Sequence, residues 1–273
     1  LRIENTQTGC ISTEYKFNLI VQKAPYFEIE NVQYVCTDNP LGLELNTGLN
    51  PDLYHFEWTA QNGEILSNNA TFTTTYGGIF RVTSFNKNPP FCSYSQTVEV
   101  IESEIAKISY ILVNDGNELN SIEVSVTGKG TYEYQLDSRD FSDSPIFENV
   151  LPGIHSVTVN DKRGCGFAYK DEIIVLKIPK YFSPTQGGNN TLWKVDLGEL
   201  KGVQFEKAVI TILDRTGSIL KVLNPLSSDI DLNSWDGKLN GKTMLQTDYW
   251  YKIELINSYG EPTFKTGHFS LLR

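Results

Sequence analysis

The residues of this 273-residue chain whose types suit chemistry are four cysteines, three histidines, a few tryptophans and one run of carboxylates. Cys36, Trp58 and Cys92 stand in the order expected of a disulfide joining two sheets with an indole packed against it, so a Cys36–Cys92 bridge is expected. Closing that loop would stabilise the fold by roughly 4 kcal/mol through restriction of the unfolded chain. A bridge of this kind belongs to an oxidising compartment. Cys10 and Cys165 find no partner in their own segments: Cys10 is read as having lost its mate upstream, and Cys165, in "KRGCGF", as a small buried residue, with a Cys10–Cys165 bridge spanning two segments as the alternative. His55, His155 and His268 are far apart and lack the Cys or carboxylate spacing of a zinc site, which marks them as surface or turn residues. In "DIDLNSWDGKLN", Asp229, Asp231 and Asn233 have the 1-3-5 oxygen spacing of a calcium loop. Ser234 then occupies the sixth position, where glycine is required, and Asn240 the twelfth, where glutamate is required. A polar loop bonding its own backbone is the expected reading, and a calcium site in a β-type loop the alternative.

No Ser, Thr or Cys sits in a nucleophile motif, and "TQGGNN" lacks the lysine and spacing of a phosphate loop. No catalytic residue, cofactor or metal site is therefore expected, and the chain reads as non-enzymatic. Trp193, Trp235 and Trp250 could stack on sugars, but large aromatics in a small domain more often fill its core. A net charge of -10 and a pI near 4.9 disfavour nucleic acid, which draws on clustered Lys and Arg. No run approaches the eighteen apolar residues of a spanning helix.

The elements that must position these residues are strands. Runs such as "KFNLIVQ", "IEVSVTG", "HSVTVND" and "AVITILD" are rich in Val, Ile, Thr and aromatic residues, end at Gly, Asn, Asp or Pro, and show no helical period. Three longer segments align: "LRIENTQTGCISTEYKFNLIVQK", "FRVTSFNKNPPFCSYSQTVEVIES" and "HSVTVNDKRGCGFAYKDEIIVLK". Each is a strand, a polar turn, a cysteine and a closing strand, and the cysteines fall at positions 10, 92 and 165. A repeat of roughly 70–80 residues suits an immunoglobulin-like sandwich. The predicted organisation is the tail of a truncated repeat at 1–24, immunoglobulin-like or PKD-like domains at 25–103 and 104–177, and a different unit at 178–273.

That last unit reads as a compact antiparallel sandwich. "AVITILDRTGSILKVL" predicts a hairpin of strand 208–213, turn 214–217 and strand 218–223, with Asp214 accepting backbone bonds and Gly217 at positive φ. "NSWDGKLNGK" supplies two more turns, after which "DYWYKIELI" and "FKTGHFSLL" pair around "NSYGEPT". Alternation puts Tyr249, Tyr251, Ile253 and Leu255 on one face, and Trp250, Lys252, Glu254 and Ile256 on the other.

The succession "IPKYFSP", "ILDRTGSILKVL", "WDGKLNGK", "DYWYKIEL" and the terminal "GHFSLLR" resembles the type B C-terminal sorting domain of the Bacteroidetes type IX secretion system, the gliding-motility-associated C-terminal domain. The resemblance covers about 96 residues and runs to the last one. Phe182 and Pro184 match the family's opening; Asp214, Arg215 and Gly217 match its turn; Trp235, Asp236, Gly237, Asn240 and Gly241 match its "WDG…NG" pair. Asp248, Tyr249 and Trp250 match its "DYW" strand, and Gly267, His268, Phe269 and Arg273 its end. Two departures stand out: the loop 185–191, "TQGGNNT", carries no carboxylate, and Leu245-Gln246-Thr247 replaces the usual Pro-Ser/Thr-Gly.

The resemblance implies a periplasmic intermediate, passage across the outer membrane and a cell-surface location, with the matched residues serving sorting or partner recognition. It implies two partners, the type IX translocon and an outer-membrane β-barrel of the PorP/SprF type. Exposed residues of the last domain would dock on them by shape matching, or by strand addition if its final strand is an edge. The tandem sandwiches then read as the stalk of an adhesin of the gliding machinery. A carbohydrate-binding adhesive module with a glycan ligand is the alternative.

Overall fold

The computed structural model describes residues 3–14, 16, 21, 23–115, 120–185, 190–195, 197, 200, 205–258 and 260–273. Most of the strand expected at 16–22, and positions 186–189 of the loop 185–191, lie outside the described residues. The chain divides into two compact units, Leu1–Ser103 and Glu104–Arg273. Among the described residues, all but one of the α-helices and strands are strands.

The first unit contains β1 (Val32–Cys36), β2 (Leu43–Asn46), β3 (Tyr54–Ala60), β4 (Ile65–Ser67), β5 (Thr71–Thr74), β6 (Gly78–Asn86) and β7 (Ser93–Ser103). One sheet has the order β1-β7-β6-β3-β4, and β2 pairs with β5 in a second, giving a β-sandwich. The period of two decides which side is buried. In β6, Phe80, Val82, Ser84 and Asn86 turn inward, while Ile79 and Arg81 face water. Trp58 is fully buried among Leu45, Phe80 and Val82, and its indole N–H donates to the Asn69 carbonyl at 3.1 Å.

The predicted Cys36–Cys92 bridge does not form. Cys36 ends β1, which runs parallel to β7 and sets Cys36 opposite Ser103. Cys92 immediately precedes Ser93, at the far end of that 11-residue strand. At about 3.3 Å per residue the two cysteines stand on the order of 35 Å apart, against the roughly 7 Å that a disulfide tolerates between Cα atoms. Cys36 is nonetheless disulfide-bonded, and so is Cys165, which was expected to be a buried thiol; Cys10 and Cys92 are free thiols. Cysteine order along the chain carries no information about which strand runs parallel to which, and that is what separates the expected partners.

The second unit opens with β8 (Lys107–Asn114), β9 (Asn120–Thr127), β10 (Tyr132–Leu136), β11 (Ile146–Val150), β12 (Gly153–Asp161) and β13 (Phe167–Val175). Two three-stranded sheets, β10-β12-β13 and β11-β9-β8, enclose Ile122, Val124, Leu136, Val157 and Val159. Beyond them lie β14 (Tyr181–Phe182), β15 (Phe205–Leu213), β16 (Ile219–Leu223), a single-turn helix α1 (Ile230–Asn233), β17 (Lys238–Leu239), β18 (Lys242–Thr243), β19 (Asp248–Asn257) and β20 (Pro262–Leu271). Their main sheet has the order β14-β20-β19-β15-β16, with β17 and β18 forming a separate ribbon.

The chain leaving β13 serves both cores of this unit. Alternation sends Ile173 and Val175 into the sandwich core and Ile174 and Leu176 into the terminal one. Two polar contacts reinforce the junction. The Asp115 carboxylate, almost buried, pairs with Lys265 of β20 and accepts the Leu176 N–H at 2.9 Å. Glu172 accepts from the Asn257 side-chain amide at 2.6 Å. Removing one member of so buried a pair is far costlier than removing an exposed ion pair, because the partner charge stays desolvated.

In the native protein without reductant, Cys10 and Cys92 should alkylate with iodoacetamide while Cys36 and Cys165 stay unmodified. A tryptic peptide pair joining Cys36 to Cys92 in the mass spectrum would contradict this arrangement.

Candidate functional site

The residues singled out in the terminal domain come together around one aromatic cluster. Phe182, Trp193, Trp235, Tyr249 and Phe269 are each at most 2% exposed, and Tyr251 is 8% exposed. Alternation in β19 and β20 points Tyr249, Tyr251 and Phe269 to the same side of the sheet, as expected for β19. The covering layer comes from coil. Trp193 and Trp235 form an antiparallel bridge through two backbone N–H···O bonds of 2.9 Å, which delivers both indoles over the sheet.

The contacts are specific. Trp193 stacks on Phe269 at 4.1 Å between centroids and 16° between planes, and Trp235 meets Tyr249 edge-on at 5.0 Å. Phe182 lies 5.7 Å from Trp235 and 5.9 Å from Phe269. Three buried polar handles are satisfied: the Trp193 indole donates to the Pro179 carbonyl, that of Trp235 to the Lys238 carbonyl, and the Tyr249 hydroxyl to the Leu245 carbonyl. Burying one such ring removes about 150–250 Å² from water, or about 4–6 kcal/mol at 25 cal/mol per Å². Trp193 and Trp235 are therefore core residues, and the expectation that they could stack on a glycan is corrected. Trp250, 40% exposed, keeps a free face.

Two glycines in the matched pattern answer to packing. Gly237 holds φ at 77°, and a Cβ there would meet Leu271, Phe182 and Pro184 at 3.3–3.4 Å. In β20, Gly267 lies directly opposite Tyr251, whose hydroxyl would be 2.4 Å from an added Cβ. The tyrosine lies across the place a side chain would take. The Asn240-Gly241 pair has positive φ at both positions, 52° and 77°, and closes the β17–β18 ribbon as a tight hairpin turn. Asp236 caps the preceding turn by accepting the Lys238 N–H at 3.0 Å.

The hairpin expected at 208–223 is present, with β15 and β16 antiparallel and Gly217 at φ 83°. Asp214 accepts from the Thr216 hydroxyl at 2.6 Å and from the N–H groups of Thr216 and Ser218 at 2.8 and 2.9 Å. These bonds, the Thr216 hydroxyl first, hold its carboxyl below the usual carboxylate range. In the polar loop, Asp229 caps α1 through the Asp231 N–H and Asn233 donates to the Ser227 carbonyl, so both side chains are engaged locally. His155 is held between Asp137 and the Leu151 carbonyl, while His55 and His268 are exposed on β3 and β20.

The remaining matched residues lie at the surface. Trp250 pairs across the sheet with His268 on one side and Leu213 on the other, on the face away from the core. Asp248 accepts the Ser270 hydroxyl at 2.6 Å, Arg273 donates to the Met244 carbonyl at 2.8 Å, and Arg215 is exposed in its turn. The final strand is not an edge. β20 lies between β19 and β14, although β14 covers it only at Ser270 and Leu271. Sequence reading missed Asp115, Glu172, Asn257 and Lys265; no local motif marks them, since each depends on a partner distant in the chain.

No protein-family model matches the chain, and no curated protein matches it. Several solved structures resemble it at low identity. An amphioxus IgVJ-C2 molecule is 12% identical with a TM-score of 0.27, covering 49% of this chain and 94% of its own. The first four immunoglobulin domains of Sidekick-1 are 11% identical with a TM-score of 0.28, covering 90% and 73%. Dimeric latent PorU from Porphyromonas gingivalis is 13% identical with a TM-score of 0.29, covering 80% of this chain and 29% of PorU. What the protein does therefore rests on its own residues.

Trp235→Ala removes a buried indole and should cost about 3–5 kcal/mol in denaturant unfolding, whereas Trp250→Ala should cost less than about 1 kcal/mol. A second outcome concerns alkaline pH. Burial, and for Tyr251 also the Asp115 carboxylate, raises the phenol pKa values of Tyr249 and Tyr251 in the folded state. The unfolded chain therefore ionises first. Stability is fully present below about pH 10 and is lost as pH rises through the folded values. Unfolding curves taken at increasing alkaline pH should show this fall, and Tyr251→Phe should reduce it.

Proposed function

We propose that this chain is the C-terminal region of a secreted cell-surface protein, in which sandwich domains act as a stalk and the terminal domain is the signal read by a type IX secretion system. The observation that most supports this reading is how the matched residues divide. Phe182, Trp235, Gly237, Tyr249, Gly267 and Phe269 build one core. Arg215, Asp248, Trp250, His268 and Arg273 stay at the surface of the same domain. A pattern serving stability alone has no need of the second group. The Trp250–His268–Leu213 row offers a partner a mixed apolar and polar surface. On this reading the domain is recognised as a folded object by a translocon and a PorP/SprF-type barrel, without catalysis.

A disulfide is compatible with a route through an oxidising periplasm and with the cell surface beyond it. The recognised body extends past the matched segment, because Ile174, Leu176 and Asp115 complete its core and its buried ion pair. The fusion that tests the proposal is accordingly 104–273.

Joined to an exported reporter in a type IX-competent host, residues 104–273 should bring the reporter to the cell surface. The double variant Trp250→Ala/His268→Ala should reduce surface reporter about tenfold while leaving its periplasmic level intact. Retention of the unmodified fusion in the periplasm, folded and stable, would falsify the proposal.

A further inference from the structure

A cleft of about 840 Å³ lies within the second unit, between the edge strands β8 and β13 of the sandwich and the 263–266 stretch of β20. That volume is in the usual range for a site that encloses a small ligand. Three exposed aromatic side chains line it, one from each strand: Tyr110, Tyr169 and Phe264, each 56–57% exposed. Rings so exposed and gathered at one concavity differ from singly scattered surface aromatics.

Both sandwich strands are irregular where they face the cleft. The β8–β9 register shifts between Ile108 and Tyr110, which leaves Ser109 and Tyr110 exposed in succession. The β12–β13 register shifts past Lys170, with Glu172 at φ 55° and every residue from Tyr169 to Glu172 exposed. Bulges of this kind spoil an edge as a template for another strand and re-aim its side chains. They argue against an added β-strand and for a ligand held by side chains.

The lining carries one net negative charge. Lys265 is paired with Asp115, Lys170 and Asp171 offset each other, and Glu172, which accepts from the neutral Asn257 amide, keeps its charge. Hydroxyls are supplied by Thr263 and Thr266, and by Ser109 as an acceptor, since its proton is donated to the Ser125 carbonyl at 2.9 Å. An uncharged ligand with apolar faces for aromatic rings and hydroxyls at its rim fits such a lining; a phosphate or a strongly charged peptide does not.

We infer that this cleft binds a neutral oligosaccharide, with Tyr110 and Tyr169 stacking on sugar faces and Asp171 and Lys170 bonding their hydroxyls. The inference stands apart from the export reading, since a surface protein reaching its place by any route could carry the site. Phe264 contributes one ring face, the other having the Lys252 ammonium 5.6 Å from its centroid.

Calorimetric titration of the full chain with cellohexaose, laminarihexaose, mannohexaose and xylohexaose tests it. At least one should bind, and Tyr110→Ala and Tyr169→Ala should each weaken it about tenfold, a loss of about 1.4 kcal/mol. Tyr181→Ala, at an exposed aromatic outside the cleft, should leave the affinity unchanged. The inference is overturned if none of the four binds, if the Tyr110→Ala/Tyr169→Ala double variant binds like the parent, or if extended peptides occupy the cleft and sugars do not.

Discussion

Burial of six aromatic rings beneath a single five-stranded sheet is the constraint on which the terminal domain depends. A sheet with one apolar face needs a second layer, and among the described residues of this domain that layer is built largely from a short two-stranded ribbon and coil, with the end of β13 beside them. Trp193 and Trp235 solve the problem by size: each indole covers area that would otherwise require several aliphatic side chains. Their backbone bridge fixes where the two rings fall, and the Trp193–Phe269 stack ties the coil layer to β20. Gly237 and Gly267 follow as necessities, since a Cβ at either would occupy space the rings or their neighbours already fill.

The same logic joins this domain to the sandwich before it. A strand has two faces, and the end of β13 uses both, one for each core. Neither core is complete without that segment. Asp115 and Lys265 then place a buried ion pair at the junction, and a buried pair tolerates little displacement, because separation would leave each charge desolvated and alone. A sandwich coupled in this way would pass a load to the terminal domain through packed side chains, as suits a region proposed to connect an adhesive part to the cell envelope.

In the proposed function, recognition of the terminal domain rests on what its core leaves outside. Alternation in β19 buries Tyr249 and exposes Trp250 one residue later, so a short motif supplies both a core anchor and a surface group. The bulges of β8 and β13 act likewise at the cleft, where irregular pairing turns successive side chains outward from strands that a regular ladder would half bury. Surface chemistry in an all-β protein is set largely by such departures from strict alternation.

What the sequence by itself determined is local. The two-residue period identified β15, β16, β19 and β20 and the buried side of β19, and Asp214–Gly217 and Asn240-Gly241 announced their turns, because these depend on residues a few positions apart. Only the tertiary structure decided the rest. The parallel pairing of β1 with β7 took Cys36 away from Cys92, and a backbone bridge between distant coil residues made Trp193 and Trp235 core groups. β14 closed part of β20's edge, and Tyr110, Tyr169 and Phe264 met at one cleft. Each of these turns on which strands become neighbours, and alternation, alike in a parallel and an antiparallel pair, holds no record of the neighbour.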